Sequence, residues 1–300
     1  MLNLSEYHRP NTIAEAVELL GRKSPRTVAL GGGTWLNGEG ALRHLREVQA
    51  VVDVADLGLN RIETVMGSET GRPTLVRIGA AVTHQTLIEH ETTGLAADTA
   101  LSVIGTAATF MAGLNIRNRA TLAGAICTAD ASSPLVTALL ACDAELIVRG
   151  SGNEEKMLPL AGFLAYKDRI LSDGILITEI RVTYPSLDTR VAIDKVGRTP
   201  NDYPILCAIA KFAIKDGIAG NVHVALGGVA ATPVRLNSLE LGLEKKVVAT
   251  FLEDELSQAI AKLTPPSDFL GTAEYRRETA QVLTRRVIQH VVGDSKVRSA

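Results

Sequence analysis

Apolar residues along this chain follow a repeat of about 3.6 residues in some stretches and form short apolar runs in others, which is how helices and strands announce themselves. Asn11-Thr12-Ile13-Ala14-Glu15 has the form of a capping box, and Ala16, Val17, Leu19 and Leu20 supply the buried face of a helix that closes at Gly21. Arg26–Leu30 and Gln49–Val54 read as strands; Leu75–Ala81 reads as a third, leading into a helix capped by Thr83. Asp98 heads a helical stretch to about Met111, and a loop of basic and small residues follows at Arg117–Ala125. Ser133-Pro134 pairs an N-cap with a proline at the first helical position, opening a helix through Cys142. Ala144–Arg149 is then a strand. Strands alternating with helices describe an α/β region.

After about residue 175 the pattern changes. Ile175–Tyr184, Val191–Val196 and Leu206–Ile214 read as strands. Lys215-Asp216-Gly217 is a turn signal, and Val222, Val224 and Leu226 alternate beyond it, predicting a hairpin. Two helical stretches, about 249–263 and 271–291, close the chain. Strands followed by helices predict a separate α+β domain. The expected division is therefore 1–175, with lobes of about 1–55 and 56–175, and 176–300.

Bulk composition narrows the function classes. Hydrophobic residues make up 46% and charged residues 21%, as in ordinary globular chains. A net charge of −2 gives no clustered Lys and Arg surface for nucleic acid. The N-terminus lacks a basic segment followed by an apolar one, so no signal peptide is expected, and no apolar run is long enough to span a membrane. The expected location is cytoplasmic. Cys127, Cys142 and Cys207 are odd in number and far apart, which argues against a disulfide framework or an iron–sulfur site on this chain.

Two glycine-bearing segments carry the candidate chemistry. Leu30-Gly31-Gly32-Gly33-Thr34 follows a strand, and such a run is either a tight turn or a nest of backbone N–H groups suited to phosphate oxygens. A dinucleotide fingerprint of the G-x-G-x-x-G kind is excluded because position 36 is Leu36, although Asp53 stands where an acidic partner would. No Gly-Lys-Ser/Thr completes a P-loop. The second segment, Arg117 to Ala125, places Thr121 beside the small residues Ala123, Gly124 and Ala125, where backbone and ligand can approach closely. The histidines include no i,i+4 pair, and no G-x-S-x-G elbow is present.

Taken together, the two segments resemble the FAD-binding medium subunits of the xanthine dehydrogenase and carbon monoxide dehydrogenase (molybdenum hydroxylase) family. That family carries an AGGT-type loop after its first strand and an RNxATIGGN-type loop well downstream. The resemblance continues through Val51–Leu57, Arg77–Thr83, Ala138–Ala144, Lys195–Arg198, Asn201–Tyr203 and Ala225–Ala230. It implies an α+β protein: a two-lobed α/β FAD-binding region of the PCMH type, then an α+β domain with an antiparallel sheet and helices. It also implies that Leu30, Gly31, Gly32, Gly33, Thr34 and Trp35 hold the FAD diphosphate. Thr121, Leu122, Ala123, Gly124 and Ala125 would approach the flavin and diphosphate, with Tyr203 stacking near the ring and Lys195 near its edge. Departures from the family pattern are Trp35, Ala123, Ala125 and Pro134; they bear on the adenosine and ribose contacts, for which Asp130 is the substitute.

The implied activity is that of an oxidoreductase subunit with FAD as cofactor and no catalytic or metal-ligating side chain of its own. Its partners would be a [2Fe-2S] small subunit and a molybdopterin-binding large subunit, with an external electron acceptor such as NAD. Two alternatives are a stand-alone flavin oxidoreductase and a flavin-free scaffold subunit.

Overall fold

The computed structural model describes residues 4–38, 47–93, 99, 101–150, 152, 154–199, 202–247 and 253–293. Two compact units account for the chain: Met1–Leu87, Gly113–Thr128 and Asp143–Tyr184 form one; Ile88–Ala112, Ala129–Cys142 and Pro185–Ala300 form the other.

The first unit holds two sheets. β1 (Glu6–His8), β2 (Arg26–Leu30) and β3 (Val48–Asp53) make a parallel sheet in the order β1-β3-β2. The Ile13–Leu20 helix starts as its capping box predicts: Glu15 N–H donates to Thr12 Oγ1 at 3.1 Å, and Glu15 Oε2 accepts from Asn11 N–H at 3.0 Å. Its apolar face buries Ala16, Val17 and Leu20 in a cluster with Val52, Val54 and Leu176. The second sheet runs β4-β5-β8-β6-β7, from β4 (Ile62–Met66), β5 (Pro73–Gly79), β6 (Glu145–Arg149), β7 (Glu155–Pro159) and β8 (Leu176–Thr183). All its pairings are antiparallel, so parallel pairing in this unit is confined to the small sheet.

β8 departs from the expected domain limits. The division at 175 placed it in the C-terminal domain, yet its hydrogen-bond partners are β5 and β6 and the first unit extends to Tyr184. Periodicity identifies a strand but carries nothing about which sheet will take it.

The second unit is built on an antiparallel sheet of order β12-β11-β10-β9, from β9 (Thr189–Val196), β10 (Leu206–Lys215), β11 (Ile218–Gly227) and β12 (Val234–Arg235). The predicted hairpin turn is two residues, Asp216 (φ 51°) and Gly217 (φ 75°), between the paired Lys215 and Ile218. Left-handed φ at both positions is what a primed turn requires. Alternation then sorts the strands. Leu206, Ala208, Ala210 and Phe212 of β10, with Val222, Val224 and Leu226 of β11, join a core with Leu239, Leu256, Leu283, Val287 and Val291 from three helices. Each such leucine stabilises the fold by about 1.5–3 kcal/mol relative to exposure. Cys207 lies on the opposite face, where its thiol meets Thr137 Oγ1 at 3.4 Å on the Pro134–Ala141 helix.

Helix ends also differ from expectation in places. Asp98 lies outside the described residues, and the described helix runs Ser102–Thr109. The stretch expected at 249–263 is described as Glu253–Ala261, with 249–252 outside the described residues. The Pro134–Ala141 helix opens as predicted, with Ser133 Oγ accepting from Val136 N–H at 3.3 Å.

Candidate functional site

In the first unit the two glycine-bearing segments meet. A Cβ on Gly32 would stand 1.6 Å from the Arg119 carbonyl oxygen, and one on Gly31 would stand 2.7 Å from Thr121 Oγ1. Only glycine allows that approach. Arg119 Nε donates back to the Gly32 carbonyl at 3.2 Å. Gly33 has φ 71°, turning the chain so that its neighbours' N–H groups do not continue the β2 ladder. Among the described residues, no acceptor is found for the amides of Gly31, Gly32, Gly33, Thr34 or Trp35. Gly31 to Thr34 are half-buried and Trp35 is 40% exposed, so the turn is reachable from solvent.

The second segment corrects the sequence reading. Residues expected as a loop form the Leu122–Thr128 helix, and their amides are engaged within the chain. Leu122 N–H donates to Val82 O at 2.9 Å, Ala123 N–H to Ala80 O at 3.0 Å, Gly124 N–H to Thr121 Oγ1 at 3.2 Å and Ala125 N–H to Thr121 O at 3.0 Å. Leu122 and Ala125 are buried. Small residues here serve close packing at a helix start, which a run of Ala and Gly conceals in the sequence. Half-buried Ala123 and exposed Gly124 are the parts that face outward.

His84 stands behind this junction and was not singled out by its sequence context. Its N–H bonds the Ala120 carbonyl at 3.0 Å, and Thr83 pairs with Thr121 in a β-bridge. The ring is 3% exposed. Burial drives its pKa down to about 4; the Thr121 carbonyl opposes this and the Arg117 cation adds to it.

The remaining candidates lie in the second unit. Asp130 is exposed, and its Oδ1 accepts from Ser132 N–H at 3.0 Å. Burial raises the Tyr203 phenol pKa, and the Asp130 carboxylate adds to that rise. Lys195 Nζ sits 4.5 Å from the centre of the Phe110 ring and donates to the Asp202 carbonyl at 3.4 Å. Burial lowers its pKa, and Asp202 opposes that shift.

A diphosphate fits the first turn: five adjacent amides without acceptors among the described residues, on a strand end where side chains cannot intrude, form an anion cradle. The FAD binding domain in molybdopterin dehydrogenase matches residues 3–185, and the CO dehydrogenase flavoprotein C-terminal domain matches residues 192–291. The chain belongs to this family of FAD-binding flavoproteins. Its cofactor is therefore FAD. The flavoprotein is 27% identical to a glyceraldehyde dehydrogenase medium chain of Sulfolobus acidocaldarius, over 95% of this chain and 97% of that one. It is 28% identical to a putative xanthine dehydrogenase FAD-binding subunit of Escherichia coli, over 97% of each. Among solved structures, carbon monoxide dehydrogenase from Hydrogenophaga pseudoflava superimposes with a TM-score of 0.83 at 25% identity, covering 98% of this chain and 99% of that one. No described helix of the flavoprotein is long and apolar enough to cross a membrane.

Proposed function

We propose that this flavoprotein is the electron-transferring FAD subunit of a molybdenum-hydroxylase complex. An iron–sulfur partner would deliver electrons, a molybdopterin-binding partner would carry out the hydroxylation, and an external acceptor such as NAD would take the electrons away, in the cytoplasm. Relatives named as medium chains or FAD-binding subunits of dehydrogenases support this reading over nearly their whole length. The single observation that carries it is the row of amides from Gly31 to Trp35 without acceptors among the described residues.

FAD, when bound, supplies chemistry that accepts electrons singly and releases them in pairs. The chain's own residues bind and orient. The Gly31–Trp35 amides would hold the diphosphate without a cationic side chain, and Arg119 braces that turn through the Gly32 carbonyl. Thr121 caps the helix start beneath it. Tyr203 would lie against the flavin ring, where an aromatic contact contributes about 0.5–1.5 kcal/mol beyond burial. Lys195 places a cation near the ring edge, favouring negative charge there. On this reading the chain's residues bind and orient the flavin, and the hydroxylation falls to the molybdopterin-binding partner.

Isolation of the native assembly, followed by flavin, iron and molybdenum analysis, tests the reading. FAD, iron and molybdenum co-purifying with the chain are expected. A chain that turns over a small substrate alone with NAD(P)H, or assembles without flavin, would overturn it.

A further inference from the structure

One buried charge lies outside everything assigned above. Arg276, near the start of the Ala273–Gly293 helix, is 2% exposed. Its guanidinium ties three separate segments of the second unit. One terminal nitrogen, Nη1, donates to the Ile205 carbonyl at 2.7 Å and to the Gly228 carbonyl at 3.1 Å. The other, Nη2, is 2.9 Å from both carboxylate oxygens of Asp268. Asp268 in turn organises its own turn, its Oδ1 accepting from Leu270 N–H at 2.9 Å and Gly271 N–H at 3.2 Å.

The two carbonyls lead to the candidate flavin contacts. Ile205 is two residues beyond Tyr203, and its N–H closes on the Val196 carbonyl at 2.8 Å, next to Lys195. Ile205 is thus the point at which the chain re-enters the sheet just after Tyr203. Gly228 has φ 87°, and a Cβ there would strike the Ile205 carbonyl oxygen at 2.2 Å. Gly228 N–H donates to the Ala131 carbonyl at 2.6 Å, one residue from Asp130. One guanidinium therefore fixes both the backbone just after Tyr203 and the corner that holds the turn bearing Asp130.

We propose that Arg276, locked by Asp268, is a positioning residue for Tyr203 and Asp130, setting the face they present to the flavin; this rests on the flavin reading above. Salvaging an ordinary surface ion pair would not need it: a fully buried fork aimed at two carbonyls is a geometric device. Lysine keeps the charge but reaches one of these acceptor groups at a time.

The test is a double-mutant cycle on the full chain, read by FAD dissociation constant and by the visible flavin spectrum. Y203A is expected to weaken FAD about tenfold, the scale of one aromatic contact. R276K is expected to weaken it by a similar factor and to give the same spectral shift, and R276K/Y203A is expected to be no weaker than Y203A alone. Because R276K can fail to fold, D268N supplies a second route. It keeps the Asp268 turn bonds, loses the charge pairing with Arg276, and is expected to reproduce part of the same spectral shift. Losses that add in the double variant, or R276K and D268N with unchanged spectra, overturn the positioning role alone. Y203A that binds FAD as wild type does overturns this inference alone, whereas wild-type protein that binds no FAD overturns the flavin reading and this inference with it.

Discussion

A Cβ on Gly32 would meet a backbone oxygen at 1.6 Å, whereas one on Gly31 would meet the Thr121 hydroxyl at 2.7 Å. Backbone cannot yield as a side-chain rotor can, so the two glycines are unequal. G32A is expected to lose about 2–3 kcal/mol of FAD affinity, roughly 100-fold, and G31A much less, as measured by flavin titration. At Thr121 the hydroxyl accepts from Gly124 N–H. T121V should lower unfolding free energy by about 1 kcal/mol and T121S should restore it. The buried histidines contribute to the acid response. Burial drives His84 to about 4, and it drives His223 to about 3, with Lys211 and Arg235 adding to the effect. Both folded values lie below the ordinary histidine value, so the unfolded chain takes up protons first. Stability is full above about pH 6.5 and falls as pH drops toward 4, by up to about 1.4 kcal/mol per pH unit for each ring. Denaturant titrations at pH 7, 5.5 and 4 should show that slope, and H84L should shrink it. An unchanged slope in H84L would exclude His84 as a source.

At the scale of elements, local signals in the sequence located many helices and strands, and the failures share a cause. The capping box at Thr12, the Ser133-Pro134 start and the Asp216-Gly217 turn are each decided by neighbouring residues, and each stands where expected. The Leu122–Thr128 helix was read as a loop because its first amides bond to Ala80 and Val82, some forty residues away. Its sheet neighbours decide it, not its own composition. The short strands β1, β4, β7 and β12 escaped for the same reason: pairing, not propensity, makes them. A further tertiary device covers β11. Glu240 Oε1 accepts from Val224 N–H at 2.8 Å and pairs with Arg235, while Glu244 accepts from the Asn221 and Val222 amides at 3.1 and 3.0 Å. Two carboxylates one helical turn apart thus stand in for part of a neighbouring strand. E240A would leave the buried Val224 amide without its acceptor, and a loss of about 1–3 kcal/mol is expected in chemical denaturation.

For the whole molecule, the family resemblance and the described fold agree, while the candidate site was legible only in part. Gly31 to Thr34 drew attention as a glycine triplet that is either a tight turn or an anion nest, and the structure gives those amides no acceptor among the described residues. Thr121 to Ala125 could be found by motif, but the engagement of their amides could not, since hydrogen-bond partners are invisible in a linear pattern. Arg119 and Arg276 act through carbonyl oxygens that sequence does not mark. The account turns on one turn of backbone holding a diphosphate. Competition against FAD on the flavin-free full chain isolates that group, because ADP and AMP differ only in the second phosphate. ADP is expected to displace FAD at a concentration at least about tenfold lower than AMP. Equal displacement by the two nucleotides, or no FAD binding to displace, would contradict it.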